Sequence, residues 1–303
     1  MVAKSGSQMS YKPARHYLYI GVVCLITSLP GQLLASDKVG YETIATTDQN
    51  EITAEIYHAD SKIIFIWQPH ERGLQEIDRQ FARALAQQGI EVWLTDLLEA
   101  WFLPNTASNM DKLPATAFSA LIAAASKTGK RVVIGASGRG TVPALRGIRQ
   151  WQLEHPGSSI PAGVVMVSAK LFVETPDPGL AGTLLPIVEA TNIPVVLLQP
   201  NKSPWFWKLE QTTSGLQKNG SEVFIWPISN VRDRFYFRPD ATDYEIQLAA
   251  RFHQQLASSI KLLGKLDPVA RQAKTESTLA PSASDRNKER VLEVFKGKPE
   301  PPP

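Results

Sequence analysis

The sequence contains a single cysteine, Cys24, among 303 residues. It falls inside the apolar run "YLYIGVVCLITSL" at 17–29, so the chain beyond that run has no thiol. Disulfides, thiol catalysis and cysteine-ligated metals are thereby excluded there, and neither a metal nor a cofactor is expected. Charge of one sign is scarce as well: 32 basic residues face 29 acidic ones, and the two kinds are interspersed. Without a basic stripe, no nucleic-acid partner is expected. No apolar run reaches the roughly 20 residues that cross a bilayer comfortably. The run at 17–29 follows Lys4, Lys12 and Arg15 and precedes "GQLLA", the pattern of an export signal that ends at Ala35. Leu33 suits cleavage poorly, so an uncleaved anchor that attaches the chain to a membrane through 17–29 is the alternative. Both readings give an exported chain, periplasmic or anchored in the inner membrane and facing the periplasm.

What the sequence has in quantity is apolar: 43% of its residues are hydrophobic and 20% charged, enough to bury a substantial core. "YETIATT" and "EITAEIYH" alternate like half-buried strands, and "KIIFIW" suits a central strand. The spacing of Ile77, Phe81, Ala84 and Leu85 predicts a helix over 76–88 that Gly89 stops. "IEVWLTD" is the next strand, "LPATAFSALIAAASKTG" the second helix and "RVVIGAS" the third core strand. "TVPALRGIRQWQ" then reads as a helix that tolerates Pro143 in its first turn. "AGVVMVSAKL", "IPVVLLQP" and "EVFIWPI" supply three more strands before the closing helix "DYEIQLAARFHQQLASSIKLL". Apolar strands alternating with amphipathic helices predict an α/β fold, with a mostly parallel central sheet covered on both faces and an antiparallel pair at its start. The domain runs over 36–265. The remainder, 266–303, is polar and ends in prolines, the composition of a flexible tail with one short helix near 288–295.

The stretch "RVVIGASGRGTVPALRG" at 131–147 joins a strand to a helix through small residues. The order strand, "GASGRG", helix, preceded by two strand-helix units and an antiparallel start, resembles the α/β-hydrolase superfamily over about 41–263. The resemblance implies a three-layer sandwich with a nucleophilic serine on a strained turn of the form G-x-S-x-G. Gly135 and Ser137 match that form, whereas Arg139 stands where the last glycine is expected and Gly140 comes one place later. On this reading Ser137 is the nucleophile, and the backbone NH groups of Gly138 and of His70, in "QPHERG" after "KIIFIW", form the oxyanion hole. The alternative is a glycine-rich turn in which Ser137 caps the helix.

The resemblance also implies an acid after "IPVVLLQP" and a histidine after "EVFIWPI". Asn201, Lys202 and Ser203 follow the first, and "SNVRDRFYFRPD" follows the second, so both partners are missing. Asp177 and Asp233 are the candidate replacements, although Arg232 and Arg234 flank Asp233 and weaken it as a base. His70 is a candidate substrate contact. Trp101 and Phe102 follow one strand end, and Trp205 with Phe206 and Trp207 follows another; together they are expected to line one ligand pocket. The end "FKGKPEPPP" resembles the linker before the thioredoxin-like domain of TlpA-type reductases, yet no C-x-x-C accompanies it. Two functions remain open: an exported serine ester or thioester hydrolase, and a catalytically inactive hydrolase-fold binding module. The first acts on an acyl-ester ligand, and the second engages a small molecule or an envelope protein.

Overall fold

A computed structural model describes residues 39–177 and 179–276. The signal or anchor at 1–35, the short helix near 288–295 and "FKGKPEPPP" lie outside the described residues.

Eight strands form one sheet in the order β1-β2-β4-β3-β5-β6-β7-β8. They are β1 Val39–Ala45, β2 Glu51–Tyr57, β3 Ile63–Gln68, β4 Glu91–Thr95, β5 Arg131–Ser137, β6 Val164–Val167, β7 Val195–Pro200 and β8 Val223–Ile228. The pairs β1/β2 and β2/β4 are antiparallel and every later pair is parallel. The helices are α1 Glu76–Gln87, α2 Leu97–Ala100, α3 Ala107–Met110, α4 Ala115–Ser126, α5 Thr141–Glu154, α6 Pro186–Ala190, α7 Leu209–Gln217 and α8 Asp243–Lys265. The fold is thus the predicted α/β sandwich. Sequence reading missed α7, whose "TTSG" centre combines poor helix formers.

Strand alternation divides the core into two layers. Ile64 and Ile66 of β3 and Val132, Ile134 and Ala136 of β5 face α4, α5 and α6. Phe65, Trp67 and Val133 face α1 and α8, packing with Phe81, Leu85, Phe252 and Leu256. Gly135 shares the second face: a Cβ on it would stand 2.1 Å from the Phe65 ring. That crowding is why this central strand position carries no side chain. The same parity sends the Ser137 side chain toward α8.

Residues 267–276, which composition assigns to a flexible tail, are laid against the domain instead. Arg271 exchanges backbone hydrogen bonds with Gly157 and Ser158, and the Gln272 and Lys274 carbonyls accept from Asn192 and Arg149. These bonds replace the apolar burial that the segment lacks. They lie beside the loops that precede β6 and β7, at the end of the sheet away from the β5–α5 turn.

Candidate functional site at the turn between strand β5 and helix α5

The chain leaves β5 at Ser137, which has φ −126° and ψ 148° and is still strand. Gly138 follows with φ +53°, the left-handed conformation that L side chains rarely adopt. A 3-10 turn over Gly138–Gly140 then leads into α5. Gly140 lets the start of α5 approach the loop after β3, because a Cβ there would lie 2.0 Å from the Pro69 carbonyl oxygen. The pivot between strand and helix is therefore Gly138, and Ser137 is the last residue of the strand. Ser137 is 2% exposed, and its Oγ lies 2.6 Å from the Tyr236 hydroxyl.

Tyr236 arrives on the loop between β8 and α8, which aromatic packing holds down. Its ring stacks on Phe252 of α8 at 5.3 Å, and neighbouring Phe237 stacks on His70 at 3.9 Å. Arg232 anchors the same loop by bonding Glu245 and Asp240, while Glu245 completes the N-terminal capping box of α8. Burial, ahead of the charge of Asp78, pushes the Tyr236 phenol well above its ordinary pKa. The shift favours the neutral hydroxyl and makes Tyr236 a poor base for Ser137.

A carboxylate stands in front of the pivot. Glu71 Oε2 accepts from the Arg139 backbone NH at 3.1 Å, and Oε1 pairs with the Lys170 ammonium. Burial works to raise the Glu71 carboxyl, but the charge and hydrogen bond of Lys170, with the Arg139 NH, bring it down to about 2. His70 is 2% exposed, and its Nδ1 accepts from the Arg72 NH at 3.0 Å. Burial, ahead of an opposing pull from Glu71, lowers its imidazole to about 4. A neutral ring whose Nδ1 accepts carries its hydrogen on Nε2, and this atom has no partner among the described residues. The Arg139 side chain turns away from the pivot to clasp Asp111 with two bonds and to donate to the Lys170 and Phe172 carbonyls.

No protein-family model and no curated protein matches the chain. Among solved structures, brefeldin A esterase, a bacterial homologue of human hormone-sensitive lipase, is similar at a TM-score of 0.57 and 14% identity, over 76% of this chain and 78% of that one. Esterase 2 of Thermogutta terrifontis, phosphorylated by paraoxon, is similar at a TM-score of 0.51 and 13% identity, over 77% and 96%. The chain has the α/β-hydrolase fold. In that fold the nucleophile belongs on the strained strand-to-helix turn, and the oxyanion donors are the NH after it and an NH of the loop after β3.

Set on the hydrolase fold, the site residues expected from sequence are shifted or dispersed. The turn position is one residue later than Ser137, at Gly138, because β5 keeps its alternation through Ser137. Read with small residues at both ends, Ala136-Ser-Gly138-Arg-Gly140 has the same five-residue form, a signal that the Gly135 match concealed. The NH after the turn residue is then that of Arg139 rather than Gly138, and it donates to Glu71 Oε2. Arg139 is no misplaced glycine: it ties the turn to α3 and to the loop after β6.

Asp177 is exposed on the loop after β6, where its carbonyl accepts from Leu180. Asp233 Oδ1 has no hydrogen-bond partner among the described residues, and its Oδ2 lies 3.9 Å from Arg234 Nε. Neither acid bonds Ser137. The aromatic residues do not converge either. Trp101, at the end of α2, is half-buried against the core, Phe102 is 93% exposed, and Trp205 stacks on Phe172. They follow β4 and β7, which are separated by β3, β5 and β6. At about 4.8 Å per strand step, those two strands lie roughly 19 Å apart across the sheet.

Proposed function

We propose that this chain uses the hydrolase fold as a non-catalytic binding module for a small-molecule ligand at the carboxyl ends of the sheet. The observation that carries the reading is Gly138, a residue without a side chain at the position from which a nucleophile projects. Three features support it. Ser137 is buried and bonded to a hydroxyl of high pKa, both expected triad partners are replaced, and the oxyanion donor is already met by Glu71. Ligand binding at strand carboxyl ends is the habit of open α/β sheets. The basic flank and apolar run before Ala35 support export to the envelope as its setting, with attachment through 17–29 if the run stays uncleaved.

The test is reaction of the folded protein with a fluorophosphonate probe, beside assays with short-chain esters and thioesters. No labelling and no turnover are expected. Labelling that disappears in Ser137→Ala would establish the serine-hydrolase reading in its place.

A further inference from the structure

We infer that the β5–α5 turn is a carboxylate-binding site, which Glu71 occupies in cis and which a carboxylate-bearing small molecule takes by displacing it. The inference rests on the non-catalytic reading and gives it a ligand class.

The occupant shows what the site accepts. A planar carboxylate bridges the Arg139 NH at the start of the turn and the Lys170 ammonium, an ion together with a directed donor. It lies against the bare pivot, since a Cβ on Gly138 would come 2.7 Å from Glu71 Oε2 and 3.1 Å from His70 Cβ. The missing side chain is thus what makes room for it. Independently of the helix start, the wall next to the carboxylate holds His70, whose Nε2–H is a buried donor without an acceptor among the described residues. Buried donors without partners are uncommon in native proteins, and this one belongs to the residue next to Glu71, whose Cβ lies against the same pivot.

The pair is also reachable. The Glu71 side chain is 14% exposed and that of Lys170 21%, so both touch solvent while the pivot beneath them does not. Exchange of one carboxylate for another leaves the local charge unchanged and returns Glu71 to water. The ligand must, however, outcompete a group tethered in place. Glu71 therefore sets the threshold for binding.

The probe is acetate, titrated into wild type and Glu71→Ala and followed by thermal shift and by the Arg139 backbone amide resonance. Acetate is expected to bind Glu71→Ala at least about ten-fold more tightly than wild type and to raise its Tm by about 3 °C at roughly ten times its Kd. Chloride at equal ionic strength should leave both readouts unchanged, and inorganic phosphate should bind more weakly than acetate. Adding Lys170→Ala to Glu71→Ala should abolish the acetate response. Should Glu71→Ala unfold, Glu71→Ser serves the same comparison, because its short side chain vacates both the Arg139 NH and Lys170. Equal responses to acetate and chloride, an unchanged response without Lys170, or tighter binding of phosphate would overturn the inference. Any of these leaves the non-catalytic reading intact, since only probe labelling decides that.

Discussion

The Ser137 hydroxyl lies 2.6 Å from the Tyr236 hydroxyl, deep between β5 and α8. In a site built for acyl transfer the serine would face a cleft and a base. In this chain it closes a buried hydrogen bond between the central strand and the loop after β8. Ser137→Ala should cost about 1–2 kcal/mol of stability, because the Tyr236 hydroxyl then has no partner. Tyr236→Phe should cost a similar amount, and the double variant little more than either single one. Urea denaturation of the three variants measures the coupling, and strictly additive losses would refute the bond.

Arg139 supports a second prediction. Its guanidinium is 8% exposed and makes two bonds to Asp111 and two to backbone carbonyls. Arg139→Gly brings the sequence closer to a hydrolase motif, yet it strands the Asp111 carboxylate and both carbonyls. A loss of roughly 2–3 kcal/mol is expected in the denaturation midpoint, with no gain of esterase activity.

Replacing the pivot tests its geometry. Gly138→Ser puts a side chain at φ +53°, with its Cβ against a carboxylate oxygen that Lys170 holds in place. Destabilisation by roughly 1–3 kcal/mol is expected, together with a shifted Arg139 amide resonance as Glu71 is pushed aside. Wild-type stability in this variant would mean that the turn is not pinned as described.

Two buried groups give the pH dependence opposite signs. Burial, opposed by hydrogen bonds from Gln75 and Trp67, raises Asp78 from 3.8 to about 7. The folded chain therefore binds the extra proton, and its contribution is full below pH 3.8 and is lost as pH rises toward 7. His70 is lowered from 6.5 to about 4, so its contribution is present above pH 6.5 and is lost as pH falls toward 4. Over the shared window the two oppose each other. Tm measured against pH should rise more steeply toward neutrality in Asp78→Asn than in wild type, and should fall in His70→Gln. Parallel curves for all three proteins would contradict both assignments.

Much of the fold is legible along the chain. The antiparallel start, the core strands and the helices over 76–88, 113–129 and 243–263 are readable from the sequence, and Gly89 and Gly129 stop the first two of those helices. The short α2, α3 and α6 are set by loops that close over strand ends, and they carry too few residues for a periodic signal. The candidate site was legible in its location only. The pattern located the turn but misplaced its pivot by one residue, since two overlapping arrangements of small residues fit it equally well.

Composition and spacing by themselves determined a parallel α/β sheet, a tight turn at 135–140 and the absence of a histidine where a triad would need one. Those are local or one-dimensional properties, readable from periodicity and from which residue types are present. The tertiary structure alone decided what the turn does. The partners of Ser137 and of Glu71 each stand 99 positions away in the chain, as Tyr236 and Lys170. Which residue becomes the pivot depends on where the Pro69 carbonyl meets Gly140. Such contacts are set by packing across the sheet, and no spacing rule in the sequence encodes them.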